Sequence, residues 1–184
     1  MIYKSLRDKL LIPSNFDIKI LNVYCDGSCL NNGKKADTAL GIGVHFPLHT
    51  EFDLSLGIKD PNLNLTNNLA EILAALFSLK QSALIIKQFP KKYEKLIIHS
   101  DSRYVTTGMN EWVTKWIENG WKGYNNKIIS NKDGFEALVA ESMKLKNIEI
   151  EWKHVKGHAG DASNEVAHKL ANKASKEISL KELE

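Results

Sequence analysis

Cysteine is nearly absent from this 184-residue chain: Cys25 and Cys29 are the only two. A disulfide framework or a four-cysteine zinc site needs more of them, so two reduced thiols of an intracellular protein are expected. Arginine is also scarce, Arg7 and Arg103 standing among 25 basic residues that are otherwise lysine. The net charge of +3 permits nucleic-acid binding without arguing for it, and any basic surface must be local. No run reaches the roughly 20 uninterrupted apolar residues of a membrane span. The opening MIYKSLRDKLLIPSNFD has an acid at Asp8 and no long apolar block or small-residue cleavage site. No signal peptide is expected, and the cytoplasm is the default compartment. Internal repeats, low-complexity tracts and long linkers are missing too. With 43% hydrophobic and 26% charged residues, the composition is that of an ordinary globular domain. The expected division is a short extension over 1–17, one domain over 18–178 and a tail over 179–184.

Periodicity supplies the elements. IKILNVYC (18–25) is a β-branched run that halts at DGS, a turn signal. TALGIGVHF (38–46) and HTEFDLSLGI (49–58) follow as strands with a break at Pro47, which suggests antiparallel pairing. Residues 67–86 carry apolar side chains at helical spacing. EKLIIHS (94–100) reads as a short buried strand, and 102–120 as a helix ending at Gly120 and broken at Gly108. A helix over 132–146, an alternating strand over 147–155 and a last helix over 163–178 complete the chain. This order, an opening meander and then alternating helices and strands, predicts an α/β fold: a mixed sheet with helices packed on it.

In such sheets functional residues gather where strands end and helices begin. Asp26 closes the first strand, Asp101 the fourth, and Glu71 sits in the first turns of the long helix amid an apolar face. Singly, each Asp is more ordinarily a turn or cap residue. Together, clustered carboxylates are tolerable only with a cation between them. Hard oxygen ligands select Mg²⁺, and two such ions about 3.5–4 Å apart can activate a water and stabilise a leaving oxygen of a phosphodiester. Residue types and spacing lead to a possible acidic metal site and no further.

Four blocks then carry a resemblance: YCDGSCLNNG with Asp26, TNNLAEILAALFSL with Glu71, IIHSDSRYVTTGMNEWVTKWIENGWKG with Asp101, and WKHVKGHAGDASNEVAHKLA. In order and separation they resemble the motif blocks of the type 1 ribonuclease H family, of the cellular type with a basic protrusion. The resemblance covers roughly residues 18–176. It implies a ribonuclease H-like fold, a five-stranded mixed sheet with helices on both faces. It also implies Mg²⁺-dependent, sequence-nonspecific cleavage of the RNA strand of RNA–DNA hybrids, leaving 5′-phosphate and 3′-hydroxyl ends. Asp26, Glu71 and Asp101 become the metal-binding acids, and His158 matches a histidine assigned to proton movement or product release.

The last block departs from the family. Where the family has a fourth metal-binding aspartate, in a pattern like N-E-x-A-D-x-L-A, this chain reads NEVAHKLA, with His168 in that place. His168 could itself ligate, which would favour Mn²⁺ or another softer ion over Mg²⁺. Glu165, at i, i+3 from His168, could supply the missing charge. Alternatively, the site is weakened and the protein only binds hybrids. Retained catalysis is the preferred reading, because three acids remain. Asp161 is an outside candidate whose better reading is a helix cap.

For the substrate, Trp112 and Trp116 at i, i+4, with Lys115 and Lys122 beside them, suggest a channel for the DNA strand. Packing between helices is the competing explanation for at least one Trp. By resemblance, Asn32, Asn67 and Asn68 reach the RNA strand in the minor groove, where 2′-hydroxyls distinguish RNA from DNA. Asn67 could equally cap its helix. Thr66 and Asn131 match part of a DNA-phosphate pocket, with Asn64 where a basic partner is frequent. A separate hybrid-binding domain, carried by some eukaryotic members, does not fit in 17 residues. Modest affinity and distributive cutting are therefore expected, and a monomer is the default.

Overall fold

The structure, a computed structural model, describes residues 19–32, 38–157 and 160–181. Its five strands are β1 (Ile20–Leu30), β2 (Ala39–His45), β3 (Leu54–Ile58), β4 (Lys95–Ser100) and β5 (Glu149–His154). They lie in the order β3-β2-β1-β4-β5. β2 runs antiparallel to β1 and to β3, whereas β1–β4 and β4–β5 are parallel. This is the mixed five-stranded sheet expected.

The strand that begins at Ile20 does not stop at Asp26-Gly27-Ser28, contrary to the turn signal. β1 continues to Leu30 because β2 pairs with all of its second half, from Tyr24↔His45 to Leu30↔Ala39. The glycine that suggested a turn instead marks a close approach. A Cβ on Gly27 would lie 2.4 Å from the backbone of Ala70 and Glu71. Helix α1 (Asn67–Gln88) can therefore press its backbone onto β1 there. By length and composition α1 could cross a membrane. Here Ile72, Ala75, Leu79 and Ile85 sink into the core beneath it.

The strand expected over 49–58 is shorter than its sequence suggests. Thr50–Phe52 forms a 3₁₀ turn, and only Leu54–Ile58 is strand. Asp53 closes the corner by accepting from the Phe46 backbone N–H at 2.8 Å and pairing with His45 Nδ1 at 2.8 Å.

Gly108 does not break its helix. α2 (Arg103–Thr107) passes into a π-helical turn, Gly108–Trp112, and on into α3 (Val113–Glu118). A Cβ at Gly108 would meet the Phe135 ring at 2.4 Å, so this glycine too serves a close packing. Helix α4 (Lys132–Lys144) carries Phe135. Helix α5 (Ala162–Ser179) crosses β1, β2 and β3 on the sheet face away from α1. Cβ atoms added at Gly41 and Gly43 would fall 1.9 and 2.0 Å from the carbonyl oxygens of Ala171 and Ala167. Small residues on both partners thus fix how close α5 lies.

Candidate active site

β1 and β4 end their pairing at Cys25↔Ser100. The next residue on each strand is an acid, so Asp26 and Asp101 stand side by side where the strand order reverses. Such a crevice, at the carboxyl ends of parallel strands, is where open α/β sheets place their sites. α1 brings Glu71 to the same point, and its Oε2 accepts from the Gly27 backbone N–H at 3.2 Å. One carboxylate oxygen from each of Asp26, Glu71 and Asp101 lies within 4.8 Å of the others. The three residues separated by 45 and 30 positions in the chain form one group.

Their electrostatics are those of a cluster of like charges. Asp26 and Glu71 are buried. Burial, then the charge of Asp101, raises the Asp26 pKa to about 6, although hydrogen bonds from His168 and Gly27 pull it down. Burial, then Asp26 and Asp101, raises Glu71 well above the usual carboxylate range. Asp26 and Glu71 would ionise more readily if a cation were shared among the acids. The donor set is all oxygen, which suits a hard divalent ion such as Mg²⁺ or Mn²⁺. The residues fit that group.

His168 enters from α5. Its Nδ1 lies 2.7 Å from Asp26 Oδ2, and its Nε2 lies 2.8 Å from Asn172 Nδ2. It borders the acid cluster through Asp26. Asp161 caps α5, accepting from the backbone N–H groups of Ser163 and Asn164 at 3.0 and 3.2 Å, which is the cap reading. Glu165 is not among the clustered acids. His158 lies outside the described residues.

Around the acids, Thr66 rather than Asn67 caps α1, its Oγ1 accepting from Leu69 N at 3.2 Å. Asn67 and Asn68 are therefore left as exposed side chains one turn from Glu71. Asn32 is exposed in the turn after β1. Asn131 holds a left-handed backbone (φ 60°) ahead of α4, and its Nδ2 donates to Tyr104 Oη at 3.4 Å.

Trp112 and Trp116 are neighbours, with ring centroids 5.5 Å apart. Trp116 also packs on Phe135 at 5.1 Å and on Trp121 at 6.1 Å, and Trp121 is buried. A shallow pocket of about 250 Å³ opens between Trp112, Trp116, Lys115, Lys122 and Tyr124.

Four residues with a place at the site escaped sequence reasoning. A Cβ on Gly157 would meet Asp101 Oδ2 at 2.8 Å. His154 Nε2 donates to the Asp101 carbonyl at 3.2 Å. Ser28 Oγ donates to Asn172 Oδ1 at 2.8 Å. Only Asn172 left a signal, one helical turn after His168.

A family model described as RNase H matches residues 19–176, nearly the whole described fold. The chain belongs to the RNase H family. Over 156 residues this RNase H-family chain is 36% identical to human Ribonuclease H1, covering 84% of itself and 50% of that protein. It thus spans half the length of that relative. Ribonuclease H of Coxiella burnetii (strain Dugway 5J108-111) is 33% identical over 159 residues, which cover 86% of this chain and 92% of the bacterial one. Among solved structures, LC9-RNase H1, described as a type 1 RNase H with the type 2 active-site motif, superposes with a TM-score of 0.64. It is 29% identical, and the match covers 86% of this chain and 73% of that one.

Proposed function

We propose that this chain is an endonuclease that hydrolyses the RNA strand of RNA–DNA hybrids. The observation carrying this reading is the convergence of Asp26, Glu71 and Asp101 at the β1/β4 crevice in a chain of this family. Asp26, Glu71 and Asp101 hold two divalent cations, Mg²⁺ or Mn²⁺, and His168 takes the fourth position beside Asp26. When bound, the cations supply Lewis-acid assistance to the attacking water and to the leaving oxygen. Water attacks the scissile phosphorus and the bond to the 3′ oxygen breaks, leaving 5′-phosphate and 3′-hydroxyl ends.

The remaining residues bind and orient. Asn32, Asn67 and Asn68 present amides to the RNA strand, where 2′-hydroxyls distinguish it from DNA without reading sequence. Glu71 follows Asn67 and Asn68 on the same helix, so recognition and the acid cluster share one rigid support. Thr66 and Asn131 hold a DNA phosphate. Trp112 and Trp116 face the sugars of the DNA strand while Lys115 and Lys122 neutralise its phosphates. His158 assists proton movement or product release. The chain works as an intracellular monomer.

Cleavage of an end-labelled RNA–DNA hybrid in Mg²⁺ and in Mn²⁺, beside Asp101→Asn, tests this reading. RNA-strand cutting that Asp101→Asn abolishes is the expected result. Hybrid binding with no cutting in either ion would replace the nuclease by a recognition module.

A further inference from the structure

The ring of His168 is held at both nitrogens, and its partners differ in kind. Nδ1 faces Asp26 Oδ2 at 2.7 Å, and Nε2 faces the Asn172 amide nitrogen at 2.8 Å. The Asn172 amide is itself oriented, because its Oδ1 accepts from Ser28 Oγ at 2.8 Å. An amide NH₂ only donates, so Nε2 must accept. The ring proton then sits on Nδ1, donating to Asp26. In this arrangement Nδ1, the atom nearest the acid cluster, has no lone pair to offer a cation.

We propose that Asn172 is a positioning residue: its amide, anchored by Ser28, decides whether His168 donates to Asp26 or serves as a metal ligand. This deepens, and rests on, the reading of the acid cluster as a metal centre. Ligation through Nδ1 requires the ring proton to move to Nε2, and Nε2–H requires an acceptor. A half-turn of the Asn172 amide supplies one by presenting Oδ1 to the ring. Nδ2 then faces Ser28, whose hydroxyl becomes an acceptor. The chain can absorb that reversal. Ser28 Oγ lies 3.0 Å from Ser175 Oγ, where either hydroxyl can donate. Ser175 Oγ in turn reaches the Asn172 backbone carbonyl at 3.1 Å. With the amide turned, Ser28 donates to Ser175, Ser175 donates to the carbonyl, and every polar atom of the chain keeps a partner. Both states are satisfied without moving a heavy atom of the backbone. A partner that fixes the tautomer of a metal-ligating histidine commonly changes metal affinity by about 10–100-fold when removed.

The ¹⁵N spectra of the His168 ring in the metal-free protein at alkaline pH make the first test. The expected pattern is protonated Nδ1 and unprotonated Nε2; a free neutral histidine side chain prefers the opposite. Added Zn²⁺, a diamagnetic probe, should bind Nδ1, move the proton to Nε2 and shift the Asn172 side-chain amide signals. Ser28→Ala, which releases the amide, should mix the two metal-free forms. Calorimetric Zn²⁺ titration of two variants separates this role from a structural one. Asn172→Leu should lose about 10–100-fold in affinity, whereas Asn172→Asp, which only accepts, should match or exceed wild type. A metal-free ring protonated at Nε2, or Leu and Asp variants changing affinity alike, would overturn the proposal. If wild type binds no cation although the ring is protonated at Nδ1, the metal-centre reading and the ligand state of His168 both fall. The donor state set by Asn172 then stands by itself.

Discussion

The backbone N–H of Gly27 donates to Glu71 Oε2, tying strand to helix at the point where their acids meet. The bond exists because Gly27 has no side chain. Its missing Cβ would stand 2.4 Å from the α1 backbone, which cannot rotate away as a side chain could. Gly27→Ala should therefore push α1 off β1 and cost more than about 2 kcal/mol of stability. Urea melts measure the loss, and hybrid cleavage should fall further than the population of folded protein does.

Without metal, Asp26 opposes folding at neutral pH. Asp26 is raised from 3.8 to about 6 in the fold. Its favourable contribution is fully present below 3.8 and is lost as pH rises through about 6. In chelator at pH 7, Asp26→Asn should be more stable than wild type by roughly 1–3 kcal/mol, with the gain gone below about pH 4. Mg²⁺ or Mn²⁺ should stabilise wild type and not the variant, as thermal melts with and without metal will measure.

His99 has the opposite sign. It stacks on Tyr24 at 4.2 Å and is buried. Burial, then the charge of Lys153, lowers its pKa from 6.5 to about 4. Its contribution is fully present above 6.5 and is lost as pH falls through about 4. His99→Phe keeps a ring against Tyr24 and cannot charge. Between pH 6.5 and 4 the stability difference should move toward this variant by up to roughly 3 kcal/mol, read from melts across that range.

At the fourth position, His168→Asp replaces an imidazole by a hard oxygen donor. The ratio of hybrid cleavage in Mg²⁺ to that in Mn²⁺ should rise. An unchanged ratio would argue that His168 does not touch the metals.

On the protrusion, Trp116 is wedged between Phe135 and Trp121, and Trp116→Ala should cost roughly 2–4 kcal/mol of stability. Trp112→Ala should spare the fold more and weaken hybrid binding. Lys115→Ala and Lys122→Ala should each lower the salt dependence of binding by about one phosphate contact. Fluorescence anisotropy at several salt concentrations measures both effects.

The acids were legible because residue type and local pattern coincide: Asp26 after a β-branched run, Asp101 after LIIHS, and Glu71 on an apolar helix face. Sequence patterns misled where a long-range partner set the local structure. DGS reads as a turn until β2 is laid beside it, and Gly108 reads as a break until Phe135 fills the space. That His168 reaches Asp26, 142 positions away, depends on how α5 crosses the sheet, which no local pattern records. Asn172 lay within reach of helical spacing, but its amide acquires meaning only with Ser28 opposite.

α5 rests on Gly41 and Gly43 by backbone shape, its own carbonyls filling the space that side chains would take. The location of position 168 is consequently independent of the residue found there. An aspartate, a histidine or an asparagine would be delivered to the same spot beside Asp26, because the close approach at Gly41 and Gly43 sets the helix whichever of them stands there. The chemistry of the fourth position is interchangeable in a way that the acids of β1 and α1, bound up with Gly27, are not.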